Sequence, residues 1–216
     1  MLYTLGEEIF NSVTHGIGAA LSIAALVVTI IFAAINGATA LDIVGYTIYG
    51  SSLIILYTMS TLYHAITNKT AKKVLRIIDH SCVYILISGS ITPYVFTVLS
   101  GTGSKRWIIF GIVWGTTLLG ITLYAIFKQK IKIFNVLSYV LMGWSVSILF
   151  PELISTFNTL NIVPCIYLLL FGGIAYTLGL IFYILKKVKY FHSIWHLFVL
   201  AGSVLHFIAL MLYVLK

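Results

Sequence analysis

Charged side chains are scarce in this sequence. Asp, Glu, Lys and Arg make up 8% of its 216 residues, where a soluble globular domain carries about a quarter. That shortfall excludes an ordinary water-soluble enzyme, and an apolar content of 61% makes the lipid bilayer the solvent to reason with. Only 3 residues are proline, and no stretch is long and polar enough for a separate soluble domain of ~100 residues. Residues 1–216 are therefore expected to form a single membrane domain. Cysteine is also rare. Cys82 and Cys165 both lie inside apolar runs, where they are better read as small buried hydrophobes than as a disulfide or a metal pair. The opening MLYTLGEEIF lacks the basic start and small-residue cleavage site of a secretory signal and carries Glu7 and Glu8 instead.

What is present is a series of apolar runs. A helix crossing ~30 Å of hydrocarbon needs ~20 apolar residues, and seven stretches meet that length: 17–35, 41–64, 79–99, 106–127, 133–150, 162–185 and 194–215. INGATA, NKTAKKVLR, SGTGSKR and FPELISTFNTLNIVP mark breaks between them. The runs are continuously apolar rather than alternating, which argues against barrel strands. The expected fold is all-α, a polytopic seven-transmembrane helix bundle.

A net charge of +8 is compatible with nucleic-acid binding, but the basic residues sit in short connections, where membrane topology explains them. Nucleic-acid binding is discounted. Lys69, Lys72, Lys73, Arg76, Lys128, Lys130, Lys132, Lys186, Lys187 and Lys189 fall on the side of the N-terminus, and only Lys105, Arg106 and Lys216 fall opposite. Positive residues stay inside, so the N-terminus is expected in the cytoplasm and the C-terminus outside. That orientation is opposite to the rhodopsin-like receptors, and the last span has no lysine for a retinal. Without buried mid-span cations or a clear repeat, a transporter is also disfavoured. Gly111, Gly115, Gly172 and Gly173 read as close-packing points between helices, and Pro93 as a kink.

Five of the six histidines, His15, His64, His80, His192 and His196, come to one side once the spans alternate in direction. His192 and His196 in HSIWH are four residues apart, which stacks both imidazoles on one helix face. His64 ends the second span in STLYH and supplies a third imidazole, with Ser60 one turn deeper. Three neutral imidazoles with an open fourth position describe a catalytic zinc site, whereas structural zinc is usually closed by four ligands and rich in Cys. Asp79 opens the third span at the same level. Its carboxylate could act as general base toward a water whose pKa zinc lowers toward ~7, or simply cap that helix. Ser60 could orient the water or the substrate oxygen, or bond its own helix backbone. Taken singly, His15, His80 and His206 read as packing residues; Glu7, Glu8, Asn11 and His15 either line the cavity mouth or, the preferred reading, form the polar face of an interfacial N-terminal helix.

The segments NSVTHG at 11–16, STLYH at 60–64, IDHSCVYI at 78–85 and HSIWH at 192–196 resemble the hemolysin III family, the bacterial branch of the progestin and adipoQ receptor family. The resemblance implies seven helices with a cytoplasmic N-terminus in a bacterial plasma membrane. It further implies zinc on His64, His192 and His196, with Asp79 and Ser60 beside it. A similarity of that metal motif to alkaline ceramidases makes a membrane lipid amide or ester the expected substrate. Two alternatives stand beside the hydrolase: structural zinc in a membrane-homeostasis or sensor protein, and the membrane-damaging activity that the family's name suggests.

Overall fold

The computed structural model describes residues 3–185 and 187–216; Lys186, counted above among the basic residues, lies outside them. Helices α1 (Leu5–Ile35), α2 (Ala40–Ala65), α3 (Lys69–Thr97), α4 (Ser104–Phe127), α5 (Lys132–Trp144), α6 (Phe150–Thr159), α7 (Pro164–Ile184) and α8 (Phe191–Val214) account for nearly all of the described chain, with no strand among the described residues. A 3-10 turn at Ser145–Leu149 joins α5 to α6, so that Lys132–Thr159 acts as one crossing and seven spans result.

The helix starts follow from local chemistry. Thr4 accepts from Glu7 N at 3.4 Å while Glu7 Oε2 accepts from Thr4 N at 2.8 Å. Thr39 and Asp42 repeat the same reciprocal cap at α2, and each pair satisfies two donors that a helix start leaves open. Asn68 caps α3 through Thr70 N and Ala71 N, both at 3.0 Å. The end of α1 is set by Gly37 at φ 74°. There Ala38 N bonds Ala33 O at 2.9 Å and Gly37 N bonds Ala34 O at 3.3 Å, the paired closure that a left-handed residue after a helix permits. Asn161, at φ 56°, ends α6 in the same way through Ile162 N and Phe157 O at 2.8 Å.

Three span boundaries move from the sequence reading. The first helix begins at Leu5 rather than near 17, and the third at Lys69 rather than 79. In both cases the added turns carry charge, so hydropathy locates the hydrocarbon crossing but not the helix that runs beyond it. The fifth crossing continues to Thr159 rather than stopping near 150 because Pro151 sits in the first turn of α6, where no N–H is needed.

Helix α1 packs on α2, α2 on α3, α7 on α8, and α1 returns to α8. α3 is the most enclosed span, while α1, α4 and α7 present most of their surface outward, as lipid-facing helices do. Contacts among α3, α5 and α7 are sparser. The gap between them and α8 is an apolar cavity with about 130 Å³ of room for water centres, roughly ten times what one water needs. It extends from Ser60, Asp79, His192 and His196 to Tyr94, Phe150, Leu169 and His206.

The glycine reading divides. A Cβ on Gly172 would lie 2.2 Å from His206 and one on Gly173 in ordinary contact with Trp144, but one on Gly111 or Gly115 would meet nothing within 4 Å. Gly111 and Gly115 face outward on α4, and the close contact on that helix is Gly120, whose Cβ would lie 2.4 Å from the Tyr84 ring. That ring cannot retreat, since Tyr84 is fully buried and its hydroxyl bonds Asn135 at 3.2 Å and Ser138 at 2.8 Å. Gly120→Ala should lower unfolding stability in detergent by about 1–3 kcal/mol. Gly111→Ala on the same helix should change it by less than about 0.5 kcal/mol. Thermal denaturation of the two variants checks both.

Candidate metal centre

His192 and His196 occupy successive turns at the start of α8, with ring centroids 4.7 Å apart. His64, in the last turn of α2, places its ring 5.3 Å from His192 and 5.0 Å from His196. All three are buried, and one nitrogen from each lies within 4.8 Å of the others. Three imidazole nitrogens at that separation could hold a metal ion. Unpartnered nitrogens point the same way. His64 Nε2 and His196 Nδ1 are buried with no hydrogen-bond partner, a condition that costs about 1–3 kcal/mol per polar group unless something else satisfies it.

Asp79 and Ser60 line the cavity beside His192 and His196. Asp79 lies in the third turn of α3, since that helix starts ten residues earlier, so capping cannot be its role. Its Oδ2 is 3.2 Å from His80 Nδ1. Ser60 is 1% exposed; its neighbours Ser52 and Thr61 give their hydroxyls to the carbonyls of Tyr49 and Tyr57. His80 stacks on Tyr124 at 5.4 Å, and its carbonyl accepts from Tyr139 at 2.9 Å. It stands outside the three-imidazole group. His206 bonds Leu169 O at 3.2 Å, as a packing residue facing a neighbouring helix should. Cys82 and Cys165 are buried free thiols away from the cluster.

The polar face of α1 departs most from expectation. Glu7, Glu8, Asn11 and His15 are all buried, so this segment is not an interfacial helix. Its side chains surround the histidines instead. Glu8 Oε2 is 2.6 Å from His64 Nδ1, and Glu8 Oε1 is 2.9 Å from Lys72. Asn11 Oδ1 accepts from Ser193 at 2.6 Å. The His15 ring lies flat on His196 with centroids 3.6 Å apart. Glu7 Oε1 accepts from Tyr190 N at 2.8 Å, tying the start of α1 to a residue held at φ 63° just before α8. Tyr3 stacks on His192 at 4.8 Å and covers the cluster. Glu8, Asn11 and His15 were legible as one stripe, because steps of three and four residues put them on one helix face. Tyr3, Lys72 and Ser193 carried no such pattern.

Residues 3–207 match the family described as Haemolysin-III related. The chain belongs to that family. A Hemolysin-3 homolog of Bacillus subtilis (strain 168) is 43% identical over 215 residues, covering 100% of this chain and 98% of the relative. Hemolysin-3 of Bacillus cereus is 40% identical over 209 residues, 97% and 92% of the two chains. The human Monocyte to macrophage differentiation factor is similar at 28% identity over 177 residues, covering 78% of this chain and 70% of that protein. Seven spans and this haemolysin-III membership make the chain a multi-pass plasma-membrane protein, and the matched segment includes every candidate site residue.

The Asn11–Ser193 bond joins α1 to α8 inside this haemolysin-III bundle. Asn11→Ala should cost about 1–3 kcal/mol of stability by removing the acceptor. Adding Ser193→Ala to it should cost little more, giving a coupling of about 1 kcal/mol in a double-mutant cycle. Unfolding of the two single variants and the double variant measures it.

Proposed function

We propose that the protein is a zinc-dependent hydrolase of a membrane lipid amide or ester, with zinc on His64, His192 and His196. Zinc is favoured by the donor set, three neutral imidazoles without thiolate. When bound, it supplies a Lewis acid and makes hydroxide accessible near neutral pH. The chain's own groups supply the rest. The Asp79 carboxylate accepts the proton of the attacking water and returns it to the leaving group. The Ser60 hydroxyl donates to the substrate carbonyl oxygen, and the apolar wall from Val83 to Leu180 holds the hydrocarbon chain out of water.

The observation that carries this reading is that His192 and His196 of the three-imidazole cluster line that apolar cavity, beside Asp79 and Ser60. A metal serving only as a staple has no use for a long apolar space opening from it. The staple reading still draws support from the way the three ligands join α2 to α8. Membrane damage, suggested by the relatives' printed names, has less to recommend it, since the cavity wall is apolar rather than a water-filled channel.

The deciding experiment is turnover. Purified protein incubated with lipid amides and esters should release a fatty acid, and Asp79→Ala should lower kcat by at least about a hundredfold while retaining zinc. Undiminished turnover after complete zinc removal would rule the hydrolase out. Zinc-dependent stability with no turnover on any lipid would favour the staple.

A further inference from the structure

A neutral imidazole offers one lone pair, and the proton on its other nitrogen decides which atom carries it. His64 Nδ1 lies 2.6 Å from Glu8 Oε2, so Nδ1 bears the proton and donates to the carboxylate. The lone pair is then on Nε2, the atom buried with no partner. On His196 the buried atom with no partner is Nδ1.

Glu8 is itself held. Its second oxygen takes Lys72 Nζ at 2.9 Å, and Lys72 also donates to the carbonyls of His64 and Ile66 at 3.3 and 3.2 Å. Charge points in the same direction. Three neutral imidazoles bring none, and a divalent cation buried among them needs counter-charge; Glu8 and Asp79 are the carboxylates beside the cluster.

We propose that Glu8 is a positioning residue of the metal site: it holds His64 as the Nδ1–H tautomer and aims Nε2 at the ion. The inference rests on the metal reading above and adds to it an outer frame built by the first turns of α1. A carboxylate behind a ligating histidine fixes the ring and raises its basicity.

The test is zinc affinity, measured by chelator competition on the full-length protein in detergent, together with the unfolding midpoint of each zinc-free form. Glu8→Ala should weaken zinc binding by about 10–100-fold. Glu8→Gln keeps an oxygen that accepts from Nδ1, although a neutral acceptor is weaker, and should lose less than about tenfold. If Glu8 only ties helices together through its ion pair with Lys72, Gln fails as badly as Ala, and equal losses overturn the proposal. Wild-type affinity in Glu8→Ala overturns it too, and leaves the metal site standing. A wild-type protein that binds no zinc removes the metal reading and this inference together. Should Glu8→Ala fail to fold, Glu8→Gln decides with cobalt(II) in place of zinc. A twofold to tenfold weaker site with the wild-type visible spectrum is expected, and unchanged affinity overturns the proposal.

Discussion

Buried imidazole nitrogens must find a partner, and where the surroundings are hydrocarbon the partner has to come from the protein or from an ion it holds. Four histidines, His15, His64, His192 and His196, meet at one end of this bundle, and the arrangement of α1, α2 and α8 follows from how their nitrogens are met. Glu8 takes one nitrogen of His64. What remains is a set of nitrogens facing one another within 4.8 Å, which a cation with bonds near 2 Å could draw together by small side-chain adjustments.

The same constraint explains why α1 is longer than its apolar stretch. Its first turns carry Glu7, Glu8 and Asn11, which would be ill placed in hydrocarbon and ill used in water. Folded against α2 and α8 they become interior polar groups with named partners. The capping box at Thr4 starts the helix early enough to bring them there. Tyr3 then closes the cluster from the N-terminal side, and the opposite side opens into the apolar cavity.

Much of this was legible in the sequence. The seven spans follow from length and hydropathy alone, and the grouping of His64 with His192 and His196 follows from a four-residue step plus alternating helix direction. Asp79 and Ser60 fall beside the cluster for the same reason. What escaped was whatever depends on the neighbour rather than on the chain itself. The helix-cap alternative for Asp79 arose because the charged turns from Lys69 to Arg76 looked like a loop, and the structure makes them helix. Gly111 and Gly115 resembled a packing motif, yet the same spacing on an outward face meets nothing, whereas the isolated Gly120 meets a pinned tyrosine ring. Glu8 and Asn11 lay on a visible stripe, but only the fold decides that the stripe faces the histidines and not the headgroups.

The most direct test of the account is X-ray absorption at the zinc edge on purified, metal-loaded protein. The account predicts a nitrogen and oxygen shell at about 2.0–2.1 Å with outer scattering from three imidazoles and no sulfur. A shell containing sulfur at about 2.3 Å, or outer scattering from fewer than two imidazoles, would contradict it.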